Sequence, residues 1–413
     1  RRELIDETDG QRNRQAQIDR FHVTSALLRS ISRAIDDGRL SPSCRDGLIR
    51  SLVENTMLGG KEASNRFLHE HGRRPPRFVT IAPGQRCNLN CKGCYAASDS
   101  QHAATLDVDI FERVIQEKER FWGSYFTVVS GGEPFMYHSS GRGLLDIAER
   151  YPSEYFLVYT NGTLINQAMA ERIARCGNVS PAISVEGFRA ETDDRRGEGV
   201  FDKIVTACHN LRNAGVPFGV SLTATTENAD WLFSDEVIDF YFRDLGAMYG
   251  WVFQYMPIGR CWTLEKMPTP EQRVQMFERL WELIRERELF LIDFWNGGTA
   301  SSGCISAGRS GGYVYIDWDG NVCPCVFNPY TTHNIAQVYA CGGNLNDAIE
   351  SPFFESIRRW HDTYIFDRKP DDVGNMICQC AIRDHAAMMK DIIESNGAKP
   401  IDDDALEALR DEE

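Results

Sequence analysis

The sequence predicts an α/β protein: a partial (β/α)6 TIM-like barrel, an N-terminal helical cap, and a C-terminal domain containing a β-hairpin and helices. Three observations carry this. Between residues 77 and 256 six short apolar runs alternate with amphipathic stretches, the pattern of β-α units with parallel strands and right-handed crossovers. Six units rather than eight leave the barrel open. Beyond residue 300, Gly312-Tyr-Val-Tyr-Ile-Asp-Trp-Asp-Gly320 alternates and ends in Asp-Gly, a hairpin signal.

In residues 11–72, Ile18, Phe21, Leu27, Leu28, Ile31 and Ile35 recur at helical spacing until Asp37-Gly38. Leu48, Ile49, Leu52 and Val53 mark a second helix ending near Gly59-Gly60, and a third covers 61–71. Arg73-Arg-Pro-Pro76 is a boundary, because proline biases the preceding residue away from helix. The cap, 1–76, carries no readable motif and is expected to pack against the barrel or cover substrate. Strands are expected at 77–83, 125–130, 154–160, 179–185, 216–224 and 250–256. Helices are expected near 107–121, 141–150, 164–175, 200–214 and 230–245. The barrel then spans 77–288, the C-terminal domain 289–400, and Asp402 to Glu413 lies in a solvated acidic tail, 401–413.

The chain has 413 residues and a net charge of −15, from 60 acidic and 45 basic side chains. Such a surface repels phosphate backbones, and with no Lys/Arg-rich run nucleic acid is not an expected partner. No stretch approaches the ~18–20 apolar residues of a membrane span, so no transmembrane segment is expected. Thirteen cysteines in tight groups (87/91/94, 323/325, 378/380) read as metal ligation in a reducing cytoplasm, not as a disulfide scaffold.

In a barrel of this kind, chemistry sits at the C-terminal ends of the strands. Directly after the first strand comes Arg86-Cys-Asn-Leu-Asn-Cys-Lys-Gly-Cys-Tyr95. Three thiolates on one loop, Cys87, Cys91 and Cys94, can hold three irons of a [4Fe-4S] cube and leave the fourth open to chemistry. A structural zinc knuckle is the competing reading of these cysteines alone. After the second strand comes Gly131-Gly132-Glu133-Pro134, whose glycines let the backbone approach a ligand. The third ends in Thr160-Asn161-Gly162, the fourth in Ser184-Val185-Glu186-Gly187, the fifth in Ser221-Leu-Thr223, and the sixth in Gln254-Tyr255-Met256.

A Cys-x-x-x-Cys-x-x-Cys loop with an aromatic beside its last cysteine, followed by Gly-Gly-Glu-Pro, resembles the radical S-adenosylmethionine (radical SAM) superfamily. The resemblance covers roughly residues 77–390. It implies a cluster on Cys87, Cys91 and Cys94 whose open iron chelates SAM, and methionine-amino binding by Gly131, Gly132 and Glu133. Asn161, Ser184, Glu186, Arg196, Thr223 and Met256 are the further SAM contacts it implies. Glu186 stands where the family has Asp, which leaves open whether it meets SAM or substrate. Arg195 is the alternative to Arg196 as the clamp on the SAM carboxylate. Also implied are reductive cleavage of SAM to a 5′-deoxyadenosyl radical, oxygen-free conditions, and an electron donor such as flavodoxin or ferredoxin.

Cys304, the hairpin, and Gly320-x-x-x-x-Cys325 resemble the start of the SPASM/Twitch domains that hold auxiliary [4Fe-4S] clusters. Six cysteines beyond residue 300 are too few for two such clusters, so one is expected, making two in the protein. Its expected ligands are Cys304, Cys325 and Cys380, completed by Cys378, Cys323 or His385, giving a filled shell. Structural zinc is the alternative. Cys341 is expected to be no ligand, and Cys176 and Cys208 to be core fillers. Cys261, just past the sixth strand, is the candidate catalytic hydrogen donor. The implied substrate is a peptide or another molecule with an unactivated C–H bond, the alternatives being a small molecule or a lipid. A non-enzymatic zinc-bound scaffold would require the strand-end motifs to be coincidental.

Overall fold

The computed structural model describes residues 13–370 and 372–410. Ten strands form one sheet: β1 (Phe78–Ile81), β2 (Phe126–Val129), β3 (Tyr155–Thr160), β4 (Val179–Val185), β5 (Gly219–Ala224), β6 (Tyr249–Gln254), β7 (Phe290–Asp293), β8 (Tyr313–Ile316), β9 (Asn321–Cys323) and β10 (His333–Asn334). Strands β1 to β7 pair in sequence order, all parallel. These strands are near-continuous apolar runs because helices cover the sheet and both of its faces are buried. The positions of β1 to β6 match the expected ones to within three residues.

The sheet does not end where the sequence suggested. Strand β7, beyond residue 288, extends the parallel barrel, and on the other side β8 pairs in parallel with β1. Phe78 and Tyr313 are register partners whose rings stack at 5.0 Å. The hairpin β8–β9 pairs Tyr315 with Cys323. Its turn is fixed by Asp317, whose Oδ1 accepts from the amides of Asp319 at 3.0 Å and Asn321 at 2.8 Å, and by Gly320 at φ +84°. The C-terminal hairpin is thus built into the barrel sheet.

The cap comprises α1 (Arg14–Asp36), α2 (Pro42–Gly47), a wider π-helical segment Leu48–Leu58, and α3 (Lys61–His71). Residues 11 and 12 of the first expected helix lie outside the described residues. Helix α1 packs along β7 and the short helix Gly298–Ser301. Arg33 Nη2 donates to the Glu288 carbonyl at 2.9 Å, Arg285 Nη2 to Asp19 at 2.7 Å, and Ser30 Oγ to the Met248 carbonyl. Ile31 packs with Leu48 and Tyr155 beneath the barrel. The cap therefore closes one side and the base of the open barrel.

The expected helix at 230–245 is split, Asp235–Ile238 continuing as a π-helical segment to Asp244. Arg189–Arg196 is an unexpected helix, so Arg195 and Arg196 end one helix and do not merely precede the next. The segment 401–413 is not a free tail over its described part. Asp403–Arg410 is helical, Ala405 is buried, and the Tyr330 hydroxyl donates to the Ala405 carbonyl at 2.9 Å. Residues 411–413 lie outside the described residues. Among the described residues no helix is long and apolar enough to cross a membrane.

Beneath β2 and β3, Lys118 and Glu154 form an ion pair at 2.6 Å with both side chains fully buried. Thr127 Oγ1 and the Ser124 carbonyl complete its hydrogen bonds. It fixes the helix Val108–Trp122 under the strand whose far end carries Gly131-Gly132.

Candidate active site

A cavity of about 480 Å³ runs through the barrel. Cys87, Cys91 and Cys94 line it, as do Gly131, Gly132, Asn161, Ser184, Arg196, Thr223 and Met256. Cys304, Cys325 and Cys380 from the C-terminal domain line the same cavity. Its remaining walls are largely aromatic, including Phe78, Phe126, Trp251, Phe253 and Phe290, and Val23 of α1 contributes to the lining.

The glycines after β2 have a local cause. A Cβ on Gly132 would lie 2.2 Å from the Arg86 carbonyl oxygen, and one on Gly131 2.8 Å from that of Gly84. The Gly132 and Glu133 amides donate to the carbonyls of Gly84 and Arg86, each at 2.9 Å. The glycines thus let the β2 turn dock directly on the start of the cysteine loop, while still facing the cavity. Glu133 does not line the cavity. Its carboxylate accepts from Thr160 Oγ1 at 2.8 Å, the Asn161 amide at 2.8 Å and the Phe135 amide at 3.1 Å. It joins the ends of β2 and β3.

The sulfur of Cys87 accepts from the Leu89 amide at 3.5 Å and from Asn161 Nδ2 at 3.7 Å. Burial pushes the Cys87 thiol up to about 11, and Glu133, Cys91 and Cys94 push the same way. Burial also raises Cys91, with Arg196 opposing it. Three neighbouring thiols on one loop, one of them braced by N–H donors, fit a donor set completed by an iron–sulfur cluster. Among the described residues no three His, Cys, Asp or Glu side chains are placed to hold a single metal ion.

Glu186 is buried between two arginines. Its Oε1 accepts from Arg195 Nη1 at 2.7 Å and Arg196 Nε at 2.9 Å, while Oε2 is buried without a partner. Arg195 is tied to the cysteine loop, since Lys92 donates its amide to the Arg195 carbonyl at 2.9 Å. Glu186 and Arg195 also border a crevice of about 240 Å³, with Lys92, Asp194 and Lys266 on its rim. Tyr255, in the expected sixth strand-end cluster, lines both the cavity and the crevice. It packs on Gly93, where a Cβ would meet its ring at 2.9 Å. Asp293 also lines the cavity, at the end of a strand too short to be recognised, and burial raises its carboxyl above the usual range.

Cys261 and Cys378, also expected at the site, line neither the cavity nor the crevice. Cys261 is exposed, at φ +49°, and does not line the cavity. Gly259 closes on the Cys94 and Tyr95 carbonyls, the Arg260 amide donates to the Cys94 carbonyl at 3.0 Å, and the chain then turns outward. Cys378 does not line the cavity either.

Residues 81–232 match the Radical SAM superfamily. The mycofactocin maturase MftC of Mycolicibacterium smegmatis is 30% identical over 305 residues, 70% of this chain and 74% of the relative. The AdoMet-dependent heme synthase of Methanosarcina barkeri is 26% identical over 338 residues, 74% of this chain and 88% of the relative. Streptococcus suis SuiB bound to S-adenosylmethionine shares the fold with a TM-score of 0.57 and 18% identity, over 72% of this chain and 71% of SuiB. So does anSMEcpe with bound AdoMet, at 0.54 and 17%, over 81% of this chain and 98% of that one. Membership implies an enzyme that uses a [4Fe-4S] cluster and SAM. The chain belongs to the radical SAM superfamily.

Proposed function

We propose that this enzyme abstracts a hydrogen atom from an unactivated C–H bond of a peptide, using SAM at a cluster held by Cys87, Cys91 and Cys94 and an auxiliary [4Fe-4S] cluster held by C-terminal cysteines. The observation that carries this reading is one cavity walled by both sets of cysteines. When bound, SAM and its cluster supply a one-electron cleavage that leaves a 5′-deoxyadenosyl radical. The chain's own residues then position and protect. Asn161 braces the Cys87 sulfur, and Arg196, held by Glu186, presents a guanidinium to the SAM carboxylate. Gly131, Gly132, Ser184 and Thr223 line the amino and ribose side, and Met256 borders adenine. The aromatic walls exclude water from the reacting atoms.

The peptide reading is favoured by the maturase relatives and by proteins of the same fold solved with a precursor peptide, SuiB, or a Cp18Cys peptide, anSMEcpe. A small, largely apolar molecule is the second reading, favoured by the aromatic walls and by relatives named heme synthases. The electron comes from a donor such as flavodoxin or ferredoxin, and the enzyme works in the reducing cytoplasm. The test is anaerobic reconstitution followed by strong reductant, reading 5′-deoxyadenosine and iron. Changing Cys87, Cys91 and Cys94 together to Ala should abolish SAM cleavage and leave about half the iron. Undiminished cleavage would overturn the assignment. Stimulation of cleavage by an apolar small molecule and by no peptide would favour the second reading.

A further inference from the structure

The backbone of the cysteine loop is gripped from outside by two arginines. Arg195, near the end of the helix Arg189–Arg196, donates from Nε to the Lys92 carbonyl at 3.2 Å and from Nη2 to the Gly93 carbonyl at 3.4 Å. Its Nη1 holds Glu186 at 2.7 Å. Arg260, in the turn after β6, takes the carbonyls on either side of these two. Its Nη1 donates to the Cys91 carbonyl at 3.3 Å and its amide to that of Cys94 at 3.0 Å. Its Nη2 donates to the carbonyls of Ala97 at 3.0 Å and Ser98 at 2.8 Å. The nearest carboxylate to Arg260 is that of Asp99, at 3.6 Å.

The loop's own conformation calls for such a grip. Gly93 at φ +62° and Ala97 at φ +47° both lie in the left-handed region, and an alanine stays there only where its surroundings impose it. Arg260 holds the Ala97 carbonyl directly, and two residues further on the Asp99 carbonyl accepts from the Cys87 amide at 2.9 Å. These bonds run between backbone and arginine and use no thiol, so they can form before any iron arrives. A guanidinium fork reaches several carbonyls at once, which the point charge of a lysine does not. The two arginines differ in charge balance. Arg195 is matched by Glu186 at hydrogen-bond distance, whereas Arg260 uses its donors on carbonyls. Fixed positive charge beside a cluster favours the form that carries the extra electron.

We propose that Arg260, with Arg195 beside it, is a positioning residue that keeps the loop from Cys87 to Asp99 in its cluster-binding shape before the cluster is inserted and eases the cluster's one-electron reduction afterwards. The electron comes from the external reductant and resides on the cluster. None passes through Arg260, which neither gains nor loses a proton and acts through its hydrogen bonds and its fixed charge. The second half of the proposal rests on the cluster assigned above to Cys87, Cys91 and Cys94; the first half concerns the polypeptide alone.

Two measurements on the full-length chain test it. Before iron is added, hydrogen exchange should find the amides of Cys87, Lys92 and Ala97 protected in the wild type. In Arg260→Met they should exchange about tenfold faster, in keeping with the loss of hydrogen bonds to a charged group. The helix Val108–Trp122 serves as the control that the barrel is still folded. After anaerobic reconstitution, a redox titration followed by the spectrum of the reduced protein reads the second half. Reduction should be about threefold less favourable in Arg260→Met, roughly 30 mV lower for one electron. Arg260→Lys separates the two effects, returning the potential toward wild type while the loop stays unprotected, and it also replaces Arg260→Met if that variant does not fold. An unprotected loop in the iron-free wild type, or equal protection in the variants, would overturn the proposal. So would an unchanged potential in Arg260→Met, which would leave Arg260 a plain brace. A wild type with no reducible cluster would instead defeat the cluster assignment, and the exchange data would still judge the grip on the loop.

Discussion

Arg196 donates from Nε to Oε1 of Glu186 at 2.9 Å, and Glu186 keeps its other oxygen, buried and unpaired, beside the crevice next to the cysteine loop. One oxygen thus organises the two arginines. The second is left for a hydrogen-bond donor that the protein itself does not provide. Glu186→Gln should therefore weaken SAM binding by about 1–3 kcal/mol, the usual worth of a hydrogen bond to a charged group. Equilibrium binding to the reconstituted enzyme measures it. Unchanged affinity with reduced product would transfer Glu186 to the substrate.

Gly132 and Gly84 lie in the same docked pair of loops but differ in space. A Cβ on Gly132 would sit 2.2 Å from backbone, whereas one on Gly84 meets nothing closer than 3.8 Å. Gly132→Ala should cost about 1–3 kcal/mol in urea unfolding, as overpacking does, and should reduce iron retained on the cysteine loop. Gly84→Ala should stay within about 1 kcal/mol of wild type. Equal effects would show that the docking of the two loops is not what requires glycine.

Glu154 titrates high, its carboxyl pushed up to about 7 by burial against the pull of Lys118. Lys118→Met removes that pull and should destabilise the protein by about 3–5 kcal/mol at neutral pH. The folded state then holds the Glu154 proton more tightly than the unfolded chain does. Stability lost by the variant should accordingly return as pH falls through the folded carboxyl value, higher still without Lys118, toward the unfolded value near 4.3. Urea midpoints at pH 8 and pH 5 check this, a larger deficit at pH 5 being the contrary result. Replacing Glu154 by Leu in the same variant should abolish the pH dependence.

Arg309 holds the Cys304 loop through backbone carbonyls, a task for its forked donors that a lysine cannot reproduce. Arg309→Lys should lower bound iron toward half while SAM cleavage at the barrel cysteines continues. Iron content together with the spectrum of the reduced protein reads this. Full occupancy in the variant would make Arg309 a plain packing residue.

The barrel strands were legible because a parallel strand buried on both faces is a short apolar run, and β3, Tyr155–Thr160, is a clear case. The helix Arg189–Arg196 was not, since Arg-Ala-Glu-Thr-Asp-Asp-Arg-Arg has no apolar period to read. Strand β7 is four residues long, and no local pattern could show that β8 joins β1, a pairing made across more than two hundred residues. The placement of Cys87, Cys91 and Cys94 in the loop after β1 followed from the motif and the barrel rule. The outward turn at Cys261 did not, because it depends on Gly259 docking against the Cys94 carbonyl. Glu133 illustrates the remaining gap. A motif can fix which residue stands at a strand end, but which atoms its carboxylate faces is decided by β3.

The pairing of β8 with β1 has a kinetic consequence. The loop bearing Cys87 leaves one strand, and Cys325 follows the hairpin begun by its neighbour, so both are moored to adjacent rungs of one hydrogen-bonded ladder. Groups carried on those two moorings share one sheet as their support. If each carries a cluster, as proposed, electron tunnelling between them, which falls off steeply with distance, would cross a path framed by that shared ladder.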